Sequence, residues 1–210
     1  MTDHTSSRYP IPAAVHRAEL VIERSRFIAT LGPAGTPDEA AGFIRQVSLE
    51  FPDATHNCWA FVAGPPGSTG YVGMSDAGEP HGTAGRPMLT TLLHSGVGDI
   101  AAVVTRYYGG VKLGTGGLAR AYAGAVNHAL DALPRTERVE WAHLTVQVDY
   151  AAVGAIQLLL PTFEATIVDQ TYAEYVSYDL RVPLPNREAL RAALLDATSG
   201  RAVFPADDQG

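Results

Sequence analysis

The chain has 210 residues, of which 46% are hydrophobic and 18% charged, and its formal net charge is −7. This length suits one large domain or two domains of about 100 residues each. No apolar run approaches the roughly 18 residues that span a bilayer, so we expect neither a transmembrane helix nor a membrane partner. The first fifteen residues lack the basic cluster and the apolar stretch of a secretory signal, which predicts a soluble, cytoplasmic protein.

Basic residues are concentrated in the glycine-rich middle of the chain. Between residues 81 and 128 there is a single acid, Asp99. The basic residues of that segment are Arg86, Arg106, Lys112 and Arg120. Residues 131–210, by contrast, contain six arginines and twelve acids. The acidic total argues against a protein that coats nucleic acid indiscriminately, and no DNA specificity is expected.

The first predicted elements are strands followed by an amphipathic helix. Residues 18–31 read as two short strands or one bent strand. Thr36 and Glu39 have the spacing of a capping box, and apolar residues recur at helical spacing from Ala40 to Phe51. This pattern predicts a helix that starts just after Thr36.

A hairpin, a short helix and a buried strand are predicted next. Residues 57–63 and 71–74 read as paired strands around a loop rich in glycine and proline. A short helix is predicted from about Pro87 to His94, because proline is tolerated in a first helical turn. The unbroken apolar run that follows, in 99–108, indicates a strand buried on both faces.

A longer helix follows the glycines at 109–117. Its predicted buried stripe consists of Leu118, Tyr122, Ala125, Val126, Ala129 and Leu133. Arg120, Gly124 and Asn127 lie on the opposite face. One face is therefore expected to pack while the other stays free for a ligand.

The character of the chain changes near residues 132–137, and we divide it into domains of 1–134 and 135–210. In the second, the predicted order is strand, helix, strand, strand, helix and a short strand at 201–204. This βαββαβ order is typical of a ferredoxin-like domain with an antiparallel sheet. The sequence thus indicates an α+β fold.

The segment from Arg106 to Arg120 resembles an anion site at a helix N-terminus. Free N–H groups and the helix dipole attract anions there, and glycines allow close backbone approach. The candidate phosphate or RNA contacts are Arg86, Arg106, Tyr107, Tyr108, Gly109, Gly110, Lys112, Gly114, Thr115, Gly116, Gly117 and Arg120. The spacing fits neither a Walker motif nor a dinucleotide-binding turn. In the alternative interpretation the glycines serve only tight turns and helix packing.

A second polar loop carries Asp76, Glu79, His81, Gly82 and Thr83. Two carboxylates and a histidine, with His56 as a further candidate, are residue types that ligate metals or transfer protons. Their spacing matches no zinc pattern, so we expect no metal, no cofactor and no catalytic residue. In the favoured interpretation Asp76 or Thr83 caps the chain and Glu79 pairs with an arginine.

Cys58 is the sole cysteine, which excludes an internal disulfide and a cysteine-rich zinc site. Its neighbours Asn57 and Trp59 lie in the same apolar strand. We interpret Cys58 as a buried thiol without function.

Residues 75–89 (SDAGEPHGTAGRPML) and 103–122 (VVTRYYGGVKLGTGGLARAY) closely resemble the signature blocks of the YigZ/IMPACT family. The resemblance is strong over about 18–130 and weaker beyond. It implies a first domain similar to the fourth domain of elongation factor G, with a βαβ architecture found in ribosomal proteins. It also implies a ferredoxin-like second domain. His81 and Tyr108 depart from the family pattern, in which serine and phenylalanine are usual.

The resemblance further implies contact with RNA or the ribosome and a role in translational control. Our preferred hypothesis is a non-enzymatic RNA- or ribosome-associated protein in which Arg106, Lys112 and Arg120 contact phosphates and Tyr107 or Tyr108 stacks on a base. One alternative is a small hydrolase that uses Asp76, Glu79 and His81, as a peptidase label in relatives suggests. Another is a module that binds a protein partner through its glycine-rich surface.

Overall fold

The computed structural model describes residues 8–205. Residues 1–7, on which part of the argument against a secretory signal rests, lie outside the described residues. The first of two compact units ends at Arg138 and the second begins at Val139. The elements of the first unit are β1 (Arg8–Pro12), β2 (His16–Ile22), β3 (Ser25–Pro33), α1 (Pro37–Glu50), β4 (His56–Ala63), β5 (Tyr71–Ser75), α2 (Gly85–Leu93), β6 (Ile100–Tyr107), α3 (Gly114–Asp131) and β7 (Arg135–Val139).

The division between the units follows 138, whereas the sequence placed the boundary after 134. The reason is the pairing of β7 with β1 in a two-stranded sheet. This pairing joins β1 and β7, which come from the two ends of the first unit, and neither strand was predicted from the sequence.

The main sheet of the first unit has the order β2-β3-β6-β4-β5, and all neighbouring strands are antiparallel. Its central strand β6 is buried from Ile100 to Arg106. The prediction that this strand is covered on both faces is confirmed, because its residues pack against helices on either side. Ala101 packs with Ala40 of α1, while Ala102 and Val104 join the core formed with α2 and α3.

The capping residues predicted for α1 are in place, but the Glu39 side chain bonds to Gly35, the residue before the N-cap Thr36, and not to Thr36 itself as in a standard capping box. The Glu39 backbone N–H donates to Thr36 Oγ1 at 3.2 Å, and the Gly35 N–H donates to Glu39 Oε2 at 2.7 Å. These two bonds satisfy N–H groups that have no intrahelical partner at a helix start.

The apolar stripe predicted for α3 is also confirmed. Leu118, Tyr122, Ala125, Val126 and Ala129 are all buried. The Tyr122 ring meets the Phe27 ring of β3 edge to face, with centroids 5.3 Å apart. This contact packs the middle of α3 against β3, the strand that pairs with β6.

The second unit contains β8 (Trp141–Val148), α4 (Val153–Leu159), β9 (Thr166–Tyr172), β10 (Val176–Pro183) and α5 (Arg187–Ala197), with short 3-10 turns at Tyr150–Ala152, Leu160–Phe163 and Leu184–Asn186. Its antiparallel sheet has the order β8-β10-β9. The strand expected at 201–204 is reduced to one antiparallel bridge between Val203 and Gln147 of β8. With that bridge the strand order is the one expected of a ferredoxin-like domain.

Within residues 8–205, no helix combines the length and the apolar character needed to cross a membrane.

Candidate functional site

A pocket of about 420 Å³ lies in the first unit where the two candidate segments meet. Its walls come from the start of β4, the loop before α2, the end of β6 and the start of α3. The lining residues are Thr55, His56, Glu79, Pro80, Arg106, Tyr108, Lys112, Leu113, Gly114, Thr115 and Leu118. Segments that are well separated in sequence thus contribute to one cavity.

A buried ion pair forms the floor of this region. Arg106 Nη1 lies 2.5 Å from Glu79 Oε1, and the two side chains are only 7% and 3% exposed. Tyr122 donates its hydroxyl hydrogen to the same Glu79 oxygen at 2.8 Å. The interpretation that Glu79 pairs with an arginine is confirmed.

Because of this ion pair, Arg106 lies deeper in the protein than the sequence predicted. The sequence placed its guanidinium on the surface with Lys112 and Arg120, but it is buried and partly engaged by Glu79. Residues 79 and 106 are far apart in the chain, so no local pattern could disclose the pairing.

The Nε–H group of Arg106 is a further donor that Glu79 does not use. Its Nε is buried and has no hydrogen-bond partner among the described residues. The guanidinium carbon lies 5.4 Å from the ring centroids of both Phe27 and Tyr108. The planar group is thus held in place by aromatic rings and by Glu79, while the residue itself lines the pocket.

Asp76 acts as the cap of α2. Its carboxylate accepts hydrogen bonds from the backbone N–H groups of Gly82 at 2.8 Å, Ala84 at 3.0 Å and Gly85 at 2.9 Å. Burial alone would raise the pKa of Asp76, but the N–H donors of Gly82, Gly85 and Ala84 together outweigh it and lower the pKa. The capping interpretation of Asp76 is confirmed, and its charge is committed to the loop.

The side chains of the hydrolase alternative do not converge on one point. His81 projects into solvent, with Nδ1 3.8 Å from Asp76 Oδ2, while Glu79 points to Arg106 and Tyr122. Thr83 donates its hydroxyl hydrogen to the Pro80 carbonyl at 2.6 Å, which closes the loop on itself. Among the described residues, no three His, Cys, Asp or Glu side chains are placed to share a metal ion.

Cys58 is a buried thiol, as the sequence indicated. Its Sγ donates to the Asp76 carbonyl oxygen at 2.8 Å and lies 3.4 Å from the Tyr122 hydroxyl. Burial raises the pKa of Cys58 to about 12, since a thiolate would lose its hydration there. Burial, with the nearby Cys58 and Glu79, also raises the pKa of Tyr122 well above its ordinary value. Neither group is charged at neutral pH.

Several glycines of the loop are required by the backbone. A Cβ at Gly109 would lie 2.1 Å from the Arg24 carbonyl carbon, so the two backbones touch there. Gly110 and Gly114 have φ angles of +90° and +69°, a region that favours glycine. The structural interpretation of the glycines therefore holds for these three positions.

The start of α3 is open toward the pocket. No side chain caps it, and Gly114 and Thr115 of its first turn line the cavity beside Lys112. Lys112 and Thr115 are exposed. Backbone N–H groups in a first helical turn lack intrahelical acceptors, so this end carries a partial positive charge.

Of the remaining predicted contacts, some line the pocket and others lie outside its wall. Tyr108 lines the pocket and is 46% exposed, whereas Tyr107 donates its hydroxyl hydrogen to Asp53 at 2.8 Å and is not part of the wall. That bond to Asp53 raises the pKa of Tyr107. Arg86 and Arg120 are exposed but do not line the cavity. Arg120 Nη1 would be 3.6 Å from a Cβ at Gly116, so it lies near the first turn of α3.

Sequence reasoning missed Thr55 as part of the site and mentioned His56 only as a further candidate for metal binding or proton transfer. Thr55 Oγ1 accepts from the Tyr108 N–H at 3.1 Å, which anchors the turn after β6. His56 Nδ1 lies 2.9 Å from the Ala77 carbonyl oxygen and must donate to it, because a carbonyl only accepts. The position of both residues depends on the pairing of β4 with β6, which carries no local signal.

Comparison with known proteins gives the chain its family. Residues 23–130 match the model of the Impact N-terminal domain, and 146–201 match a domain of unknown function, DUF1949. IMPACT family member YigZ of Escherichia coli (strain K12) is 42% identical over 190 residues, which cover 90% of this chain and 93% of the relative. IMPACT family member YvyE of Bacillus subtilis (strain 168) is 37% identical over 184 residues, covering 88% and 84% of the two chains.

A solved structure described as a hypothetical protein is 39% identical, with a TM-score of 0.65, and the match covers 97% of this chain and 98% of that one. Both domains and nearly the whole length of these relatives are therefore represented here. The chain belongs to the IMPACT family.

Proposed function

We propose that the protein is a non-enzymatic RNA-binding protein, acting on free or ribosomal RNA, whose contact surface is the pocket and its rim. The observation that carries this proposal is the placement of the Tyr108 ring, the Lys112 ammonium and the open start of α3 around one cavity. These are the two components of single-stranded RNA binding: an aromatic platform for a base and donors for the backbone phosphate.

The local charge supports an anionic ligand despite the net charge of −7. Glu79 is the sole acid among the residues that line the pocket, and its charge is matched by Arg106. The positive charges of Lys112 and of the α3 N-terminus therefore have no acid opposite them among the lining residues. Arg120 adds a cation beside the first turn. Screening over roughly 8 Å at physiological salt weakens the influence of more distant acids.

The arrangement is less suited to bond-breaking chemistry. Asp76 accepts from three backbone N–H groups, Glu79 is engaged by Arg106 and Tyr122, and His81 lies apart in solvent. A general base must reach the proton that it removes, and a nucleophile needs such a base beside it. Binding, rather than hydrolysis, is the chemistry that these side chains support.

Fluorescence anisotropy with a short single-stranded RNA at several salt concentrations tests the proposal. Lys112→Ala should weaken binding and lower the salt slope by about one, since one phosphate contact is lost. Two controls should leave affinity and slope unchanged. Arg45→Ala lies on α1, which packs on the opposite face of the sheet, and Arg201→Ala lies in the second unit.

Two results would overturn the proposal. One is the absence of binding by the unmodified protein even at low salt. The other is an Arg45→Ala or Arg201→Ala variant that loses as much affinity as Lys112→Ala. Either would favour a protein partner for the glycine-rich surface instead.

A further inference from the structure

We infer that the pocket is built for a terminal phosphate monoester, as found on a free nucleotide or at the phosphorylated end of an RNA chain. This inference rests on the proposed function and narrows its ligand. RNA binding along the rim needs only exposed cations and a stacking surface. The pocket also holds one donor that such binding leaves unused, the Nε–H group of Arg106.

The first of these donors is Arg106 Nε. Nε is buried and has no hydrogen-bond partner among the described residues, and the Arg106 side chain as a whole is only 7% exposed. A buried guanidinium N–H without an acceptor is costly, so such groups are rarely left unmatched. Since Arg106 lines the pocket, an oxygen of a ligand in the cavity is the acceptor that would satisfy it.

The donors of α3 supply the second, independent component. The helix is 18 residues long, and its first turn has no side-chain cap. Gly114 and Thr115 of that turn line the same cavity as Arg106. Their N–H groups and the Thr115 hydroxyl are suited to a phosphate oxygen. Lys112 completes the set with an exposed ammonium.

This set exceeds what an internal phosphodiester needs. A diester has two non-bridging oxygens and one charge, whereas a monoester has three terminal oxygens and about −1.5 to −2 charge at pH 7. Donors at Arg106, Lys112 and the α3 terminus come from separate parts of the wall, which matches three oxygens better than two.

The shape of the site agrees with an end group. A volume of about 420 Å³ falls in the usual range for small-molecule pockets, roughly 300–1,000 Å³. An internal phosphate would have to carry chain both in and out past the buried Arg106. A terminal phosphate enters alone, while its own base can stack on the exposed Tyr108 ring.

The test compares RNAs of one sequence that carry a 5′-phosphate, a 3′-phosphate or only hydroxyl ends, with adenosine monophosphate as a free nucleotide. We expect at least one phosphorylated RNA to bind about tenfold more tightly than the hydroxyl RNA, the effect of one charged hydrogen bond. Competition by adenosine monophosphate at similar concentrations would assign the site to free nucleotides as well as RNA ends. Its failure to compete would assign the site to RNA ends alone.

Two variants separate the pocket from the rim. Arg106→Lys keeps a cation for Glu79 but removes Nε, and Thr115→Val removes an exposed hydroxyl without disturbing the ion pair. Each should reduce the preference for the phosphorylated RNA over the hydroxyl RNA at least about threefold, and an unchanged preference in both folded variants would overturn the inference. The thermal unfolding midpoint shows whether Arg106→Lys is folded; Thr115→Val carries the test if it is not.

The outcomes distinguish this inference from the proposed function. Equal affinity for all three RNAs would overturn the inference and leave RNA binding intact. Binding of adenosine monophosphate without binding of any RNA would support the phosphate pocket and overturn the proposed function. No binding of either would overturn both.

Discussion

Glu79 and Arg106 form a buried ion pair that joins the loop before α2 to the end of the central strand β6, with 2.5 Å between Oε1 and Nη1. Tyr122 of α3 donates to the same carboxylate. One acidic side chain thereby connects three elements around the pocket. The two signature segments of the sequence are linked through this contact.

Loss of either partner should destabilise the fold strongly. Glu79→Ala leaves the Arg106 charge buried and uncompensated, and we expect a loss of about 3–5 kcal/mol in the free energy of unfolding, measured by urea denaturation. The matched control is Arg26→Ala, which breaks an exposed pair with Glu19 at 2.8 Å on the same sheet. It should cost far less, because solvent screens exposed pairs. Equal losses would contradict the role assigned to the buried pair.

Stability should fall at alkaline pH because of Cys58. Its pKa is raised from 9.0 to about 12, so the folded protein holds the thiol proton more tightly than the unfolded chain does. The stability that this contributes is complete below pH 9 and is lost as the pH rises toward about 12. Between pH 10 and 11 the slope should approach 1.4 kcal/mol per pH unit for this group, and Cys58→Ala should lack it. Identical slopes in urea denaturation would show that the thiol is not linked to folding.

Asp76 should have the opposite pH dependence. Its lowered pKa means that its stabilising effect is present above 3.8 and is lost as the pH falls through the folded-state pKa. Asp76→Asn should cost about 1–3 kcal/mol at pH 7, because a charged acceptor of three backbone N–H groups is lost. The gap between the variant and the unmodified protein should narrow by pH 3. A gap that stays constant would place the effect in packing instead of charge.

Gly109→Ala should be destabilising by about 1–3 kcal/mol, since the new methyl group would collide with the Arg24 backbone. Gly42→Ala is the matched control on α1, where nothing lies within 4 Å of the added Cβ. That change should stabilise the protein by about 0.5–1 kcal/mol. Thermal denaturation of both variants checks the contrast, and a neutral Gly109→Ala would refute the close contact.

Tyr108 should contribute to RNA affinity through its ring and not through its hydroxyl. Tyr108→Ala should weaken binding of a short RNA by about 1–3 kcal/mol, whereas Tyr108→Phe should retain it. Tyr107→Ala serves as the neighbouring control, because Tyr107 is not part of the pocket wall. Anisotropy measurements in which Tyr107→Ala loses as much affinity as Tyr108→Ala would exclude this arrangement.

Local patterns predicted the elements well where periodicity and capping agree. The start of α1 followed from Thr36 and Glu39, and the buried face of α3 followed from residues such as Tyr122 and Ala125. The spacing of such residues is a property of the helix itself. The short strands β1 and β7 gave no comparable signal, because their pairing joins distant parts of the chain.

The candidate site was only partly accessible to sequence reasoning. The glycine loop, Lys112 and Tyr108 were identified from composition and spacing, and the structure brings them to one cavity. The burial of Arg106 was not foreseen, since strand alternation does not reveal which acid lies across the core. His56 reaches the pocket wall through the pairing of β4 with β6, which depends on tertiary contacts.

The strand order has a consequence for synthesis of the protein. In β2-β3-β6-β4-β5 the central strand is the last of the five to leave the ribosome. Until residue 107 has emerged, β3 and β4 have no common neighbour, and their inner edges stay unpaired. The nascent chain must therefore wait for β6 before the sheet can close, and only then can α3 dock and shape the pocket. During translation of this chain, the interval before β6 appears is when its strand edges are most open to association with other chains.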